Sequence, residues 1–417
     1  MLHAAHGLQP VLDDDGQTVI ISGEEPFIEA VQKNIGSQYQ GATDAPISQG
    51  QLKLDIGTLA DTKAAQALLR GDYEYPEDCD EATECIFCEL APLFAGQRCP
   101  MDIRLETSDF HWWRTAKEKT QSSRSTIGFS HYIAQSHSET LTAFQIRKLN
   151  VVFRIGRPLQ RWLNGIICLL QKEVGNIEID KLRSIILFEA DHNWWMKMLF
   201  AHRLIARATE MDLLPQEFYA MKGKCAKEAI ITRTLWTDTN RLQHRSFAVV
   251  SADLSQCFDL INHPQCSLAF QAFGCPIQPI KIMLLTLQTM NFWIRSAYGD
   301  ASTPFGGTAE KPFMGMGQGS GGSNPGCTLT FAPLVAAYKK RDYHANMTCA
   351  YSGLILSLAA IIYVDDTDLL LRSKKHHSHE EFFSFIQDAL NFWGMLVLAT
   401  GGVLKQKKSC VAVALFK

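Results

Sequence analysis

Apolar residues recur every three to four positions along residues 140–154, 191–211 and 226–242, so each stretch would gather one apolar stripe if wound as a helix. Shorter helical patches cover residues 59–70, begin at 158–164 and cover 382–393; two more run from near Pro264 to Gly274 and from Gln278 to about Gly299. Other apolar segments are continuous. Residues 166–174, 247–252 and 354–364, with Leu369 to Leu371, are short runs rich in Ile, Leu, Val and Ala, as in strands buried on both faces. Residues 166–174 and 177–188 flank Gly175-Asn176 and predict a β hairpin presenting Lys172, Lys181 and Arg183. Three cations on one hairpin suit a triphosphate or a nucleic-acid backbone; a solvated hairpin with ordinary surface charges accounts for them as well.

Between the runs lie two segments with chemistry. Residues 315–326 read Gly-Met-Gly-Gln-Gly-Ser-Gly-Gly-Ser-Asn-Pro-Gly, where glycines let backbone N–H groups approach a phosphate or sugar. Asn324 before Pro325 is a good N-cap, and the helix it predicts runs to about Arg341 with a kink at Pro333. In the second segment, Tyr363-Val364-Asp365-Asp366-Thr367-Asp368, two adjacent carboxylates stand at the turn between apolar runs. Holding both ionised there costs on the order of several kcal/mol unless a positive charge answers them. A divalent cation would do so, with a further carboxylate from elsewhere in the chain; an ordinary Asp-Asp turn is the competing reading. Asp253, at the end of the 247–252 run, is the candidate.

The 417 residues, 46% hydrophobic and 20% charged, suffice for a large core and two or three domains. The net charge of −3 hides an asymmetry: residues 1–100 hold 17 of the 43 acidic and 5 of the 40 basic residues, net −12 against +9 for the rest. Residues 1–100, with an acidic tract at 72–89, read as a loosely ordered N-terminal region, and the basic remainder is where a polyanion would bind. Twelve scattered cysteines point to a reducing compartment. Cys85-x-x-Cys88, with Cys79 and Cys99 nearby, lacks a second close Cys or His pair and is expected to be metal-free. No secretory pattern opens the chain, and the longest apolar run, 354–364, is too short to span a bilayer. The expected location is intracellular, nuclear or cytoplasmic, without a membrane partner.

Two strand-end aspartate sites far apart in sequence, brought together by a sheet, are what two-metal nucleotidyl transfer requires. Their order and spacing over about residues 166–409 resembles the reverse transcriptases, specifically the non-LTR retrotransposon type. Asp253-x-x-x-x-Phe258-Asp259 resembles the first palm motif, Gln318-Gly319 with Ser323-Asn324-Pro325 the second, and Tyr363-Val364-Asp365-Asp366 the third. Trp393, Gly401-Gly402 and Lys408 resemble the fourth. Arg183-x-Ile185 with Glu189, Asp191 and Asn193 is similar to the finger motif, and Lys222-Gly223-Lys224 to the basic loop after it.

The resemblance implies an α+β fold with a right-hand polymerase-like palm and fingers. Residues 101–165 would be a mostly helical pre-finger region, 166–246 the fingers and 247–417 the palm, with fingers and palm forming one domain over about 166–417. Since the chain stops at Lys417, the thumb is expected to be missing. The implied activity is RNA-directed DNA synthesis on an RNA template and a DNA or RNA primer from deoxynucleoside triphosphates. Asp253, Asp365 and Asp366 would hold two Mg²⁺ ions, with Mn²⁺ as a substitute. Phe258 would be the steric gate under the sugar, Lys172 and Arg183 the triphosphate contacts, and Gln318 and Gly319 neighbours of the incoming nucleotide and template base. Lys408 would protonate the leaving pyrophosphate, and Asp259 would be structural, paired to a cation. The alternatives are an inactive, truncated remnant that at most binds nucleic acid, and an RNA-dependent RNA polymerase, which Phe258 and Tyr-Val-Asp-Asp disfavour. Gly317 to Gly322 also fits G-x-G-x-x-G with Asp342 downstream, but no good core strand precedes it and the three aspartates stay unexplained.

Overall fold

The apolar run that ends in Asp253 becomes Phe247–Ser255, the central strand of a five-stranded antiparallel sheet in this computed structural model. The structure describes residues 8–12, 18–97, 99–117, 124–172, 178–255, 258–296, 298–348, 352–374 and 377–416. On one side of the central strand, Asp366–Arg372 pairs in the register that sets Asp366 opposite Asp253, and Ala360–Tyr363 completes the hairpin. On the other side lie Val403–Leu404 and Cys410–Ala414, separated by a tight turn at Gln406–Lys408.

Side chains alternate across a strand, and both faces of this sheet are covered along most of its length. Ala248, Val250, Ala252 and Leu369 enter the main core, while Phe247, Val249 and Leu370 enter a second cluster under the helix Ala226–Leu242, with Ala229 and Trp236. Toward Asp253 that second face turns polar, with Ser251, Asp368 and Asp366, and its cover ends. Each large apolar side chain withdrawn from water contributes about 2 kcal/mol, so the covered end holds the acidic end in place.

A second sheet runs in the order Leu182–Leu187, Asn164–Gln171, Asn291–Ser296, Gly299–Asp300, with its second and third strands parallel. The first two are the expected hairpin strands; the Gly175-Asn176 turn lies outside the described residues. The expected helices at Glu139–Ile155, Ala226–Leu242 and His263–Ala272 are present, and residues 190–210 form one helical run with π winding at Lys197–Leu204.

Several expectations are corrected. The helix expected from Gln278 to about Gly299 is Ile277–Thr289, after which Asn291–Ser296 is a strand. Asn-Phe-Trp-Ile-Arg-Ser alternates in burial and is aromatic-rich, and a free edge on Asn164–Gln171 makes the strand the better use of it. The 354–364 run divides at Ala359: Ile355–Leu358 pairs with Ala345–Thr348, and only Ala360–Tyr363 joins the Asp366 strand. Gln160–Leu163 is a single tight turn leading into a strand. The helix after the glycine loop is Ser323–Lys340, capped at Gly322, not Asn324, and the Ser323 hydroxyl donates back to the Gly317 carbonyl at 2.7 Å.

The largest correction concerns the N-terminal region, expected to be loosely ordered. Glu24–Gln40, Gly50–Ile56, Lys63–Arg70 and Glu81–Ala95 are helices that send Phe27, Val31, Ile35, Leu52, Leu68 and Phe87 into the main core. The acidic groups stay outside and are answered by cations from later in the chain: Lys281 reaches Asp61 at 2.7 Å, and Lys340 reaches Glu89 at 2.5 Å. The charge asymmetry is partly an internal pairing. His379–Ala399 is the one helix among the described residues long and apolar enough to cross a bilayer. Its Phe382, Ile386, Ala389, Trp393 and Leu396 pack into the main core, and Phe383, Met395 and Leu398 remain exposed.

Candidate active site

Tyr363 pairs with Asp366, which leaves Val364 and Asp365 as a two-residue hairpin loop. Val364 has φ 62° and Asp365 does not have positive φ, the pattern of a turn whose first central residue is normally glycine. A β-branched residue there is strained by about 1–3 kcal/mol. Val364→Gly is expected to gain about 1 kcal/mol in urea denaturation; a loss would show that the turn is unstrained.

The register and this turn bring Asp253, Asp365 and Asp366 to one edge of the sheet. The Asp253 N–H donates to the Ser409 hydroxyl at 3.2 Å, and its carbonyl accepts from the Lys405 N–H at 2.8 Å, so the 403–410 segment fixes the strand end. Burial, and then the charges of Asp365, Asp253 and Asp368, push the Asp366 carboxyl above its ordinary pKa. Asp368 is already answered, by the Ser251 hydroxyl at 2.5 Å and Arg233 at 3.2 Å. Among the described residues, Asp253, Asp365 and Asp366 have no ion-pair partner, and no three His, Cys, Asp or Glu side chains form a ready-made metal cluster, at this edge or at Cys85 and Cys88.

Asp253 and Lys408 border two clefts. One, of about 530 Å³, opens over the acidic sheet face beside Arg233, Tyr363 and Asp366. The other, of about 770 Å³, is lined by Asp253, Asp365, Lys172, Arg183, Phe258, Gln318, Gly319 and Lys408. Eight of the nine sequence-derived residues thus share the larger cleft, and Asp366 faces the smaller.

The glycine loop is built onto the hairpin. The Ile186 N–H donates to the Gln318 carbonyl at 2.8 Å, so the loop extends the Leu182–Leu187 strand. Gly319 has φ +107°, and a Cβ there would stand 2.5 Å from the Ile186 carbonyl oxygen, so no other residue fits. Asn193 clamps the far side, donating to the Gly319 carbonyl at 3.0 Å and accepting the Gly321 N–H at 2.5 Å. The Met316 N–H donates to the Phe258 carbonyl at 2.7 Å, which holds the half-buried Phe258 against the same loop. Glu189 and Asp191 do not reach the cleft: both are buried on Arg161, with Trp162 Nε1 donating to Asp191 at 2.9 Å. Lys222 stays exposed, and Lys224 caps its own loop through the Gln216 and Phe218 carbonyls.

Asp259 is buried at the cleft wall. Burial pushes its carboxyl up to about 7, with Lys172 and the Tyr39 hydroxyl opposing. A carboxyl held neutral by the fold adds nothing against unfolding once the unfolded chain and the fold have both ionised. Its contribution is therefore full below about pH 4 and is lost as pH rises to about 7, by roughly 4 kcal/mol. Asp259→Asn should flatten the fall in urea midpoint between pH 5 and 8; parallel curves for the two proteins would refute this.

Sequence reasoning did not single out Gln38, Lys197 and Lys405, which line the larger cleft, or Arg233 and Asp368 beside the smaller. Asp368 and Lys405 lie within stretches already marked by charge. Gln38 carries no signal, because one glutamine on an N-terminal helix resembles any solvated residue.

Residues 195–400 match the family described as reverse transcriptase (RNA-dependent DNA polymerase). That span holds Asp253, Phe258, Gln318, Gly319, Asp365 and Asp366, and leaves Lys172, Arg183 and Lys408 outside it. No curated protein matches the chain.

Proposed function

We propose, from the premise that residues 195–400 form a reverse transcriptase domain, that this chain adds deoxynucleotides to a primer 3′ end on an RNA template and derives from a retrotransposon-like element of the non-LTR type. The observation that carries the reading is the register of Asp366 against Asp253, with Asp365 in the adjoining turn, at the edge of a cleft lined by Lys172, Arg183 and Phe258.

The donor set fits a hard divalent cation, being all oxygen, and after burial the charges of Asp365, Asp253 and Asp368 push the Asp366 carboxyl further up, which a cation at this edge would oppose. Asp253, Asp365 and Asp366 would hold two Mg²⁺ ions, or Mn²⁺ in their place. The ions supply charge stabilisation for the attacking 3′ oxygen and the leaving pyrophosphate. Lys172 and Arg183 bind the triphosphate and hold it in line, Gln318 and Gly319 flank the nucleotide and template base, and Lys408 donates a proton to the pyrophosphate. Residues 166–246 act as fingers and 247–417 as palm, with RNA template, primer and deoxynucleoside triphosphates as partners in an intracellular setting.

Sugar choice tests this assignment. Phe258 lies beneath the sugar in this reading, so a 2′-hydroxyl would press on the ring and lose its water, which costs about 1–3 kcal/mol. Phe258→Ala should raise ribonucleotide incorporation relative to deoxynucleotide by about tenfold in primer extension. An unchanged ratio would make Phe258 a packing residue only.

A further inference from the structure

Gln38 belongs to the helix Glu24–Gln40, more than 150 residues before the matched segment begins, and yet it lines the same larger cleft as Phe258 and Asp259. The helix end is held there. The Met314 N–H donates to the Tyr39 carbonyl at 2.8 Å, and the Tyr39 ring stacks on Phe313 at 5.6 Å and Phe292 at 6.1 Å.

The orientation of the Gln38 amide follows from its neighbours. Asn34 Nδ2 donates to the Ile179 carbonyl at 3.2 Å; the reverse orientation would set two oxygens against each other. Asn34 Oδ1 is therefore an acceptor, and it takes a hydrogen bond from Gln38 Nε2 at 3.2 Å. Gln38 Oε1 is left as an acceptor with no hydrogen-bond partner among the described residues. A bare acceptor repels phosphate oxygens and selects a donor. With Phe258 beneath the sugar, as in the reading of this cleft above, the donor that the sugar of a deoxynucleotide offers is its 3′-hydroxyl.

We propose that Gln38 Oε1 accepts a hydrogen bond from the 3′-hydroxyl of the incoming deoxynucleotide, so that the N-terminal helix takes part in substrate selection. The inference rests on the reading of this cleft as the nucleotide site. It makes Gln38 a specificity residue and Asn34 the residue that positions it. A hydrogen bond of this kind in a partly open site changes binding about threefold to tenfold.

The test compares dTTP with its 3′-deoxy analogue ddTTP on an oligo(dT)-primed poly(rA) template in single-turnover incorporation. A parallel arm measures displacement of a fluorescent deoxynucleotide from the primer-template complex in Ca²⁺, which reads binding without turnover. Wild type should favour dTTP about threefold to tenfold in both arms. Gln38→Leu, which keeps the shape and removes the acceptor, should bring the ratio close to one by weakening dTTP and not ddTTP. Asn34→Leu, which frees the Gln38 amide to turn, should lower the ratio in part. A purely structural role for Gln38 would weaken both nucleotides together and leave the ratio unchanged. A wild-type ratio of one, or one that Gln38→Leu does not move, overturns the inference while leaving the nucleotide site standing. Failure of both nucleotides to bind and to be incorporated overturns both.

Discussion

Replacing Asp253 with asparagine is expected to lower magnesium-dependent primer extension by about a thousandfold or more and to leave the protein folded. Asp253 faces Asp366 across the central pair of strands and borders both clefts, so it is the carboxylate common to the two halves of the site. Losing one charged ligand that stabilises the attacking and leaving oxygens removes several kcal/mol, and three decades of rate correspond to about 4 kcal/mol. Stability should move the other way. Without metal, the charge of Asp253 is among those that push the Asp366 carboxyl up, so the asparagine variant should melt at the same temperature as wild type or higher in EDTA. A variant retaining more than a tenth of wild-type extension would contradict the role assigned to Asp253. Unfolding of the variant would show that Asp253 serves the fold.

The second large effect is on stability. Arg161 joins Glu189, at 2.5 Å, and Asp191, and both carboxylates are fully buried. Gln145 Nε2 and Trp162 Nε1 also donate to Asp191, and Lys148 stands 3.8 Å away, but none of these reaches Glu189 as Arg161 does. Arg161→Met would remove the guanidinium that joins two buried carboxylates, and is expected to cost about 3–5 kcal/mol. Combining it with Glu189→Gln should restore part of the loss. The consequence reaches the site, because Asn193 lies two residues beyond Asp191 and clamps Gly319 and Gly321. A loosened anchor should raise the nucleotide KM in the fraction that stays folded. Urea denaturation decides the first claim, and a loss below about 1 kcal/mol would mean that the pair is not needed to hold the segment.

The site was legible in the sequence where chemistry and geometry coincide locally. Asp253 ends an apolar run, Asp365 and Asp366 stand side by side between two apolar runs, and Gln318 stands among glycines that only a close backbone approach requires; each pattern shows within about ten residues, although the turn itself falls on Val364 and Asp365, one residue earlier than the adjacent carboxylates suggest. Long-range pairing is different. The apolar stripe of Phe27, Val31 and Ile35 was hidden by the acidic character of the whole N-terminal region, whose Asp61 and Glu89 find their partners, Lys281 and Lys340, more than 200 residues away. Asn291–Ser296 is a strand because Asn164–Gln171 offers an edge, which no local period reveals. Glu189 and Asp191 read as part of the finger-like motif, and their burial on Arg161 depends on a residue outside it.

Extension of an oligo(dT) primer on poly(rA) by the wild-type chain, with four deoxynucleotides and with Mg²⁺ or EDTA, tests the central claim most directly. The account predicts deoxynucleotide addition in Mg²⁺ and none in EDTA, with ribonucleotides used poorly. No addition in Mg²⁺ or Mn²⁺ under conditions where the chain binds primer-template would contradict an RNA-directed DNA polymerase and leave a nucleic-acid-binding protein without the reaction, and equal use of ribonucleotides would contradict it in favour of an RNA-dependent RNA polymerase.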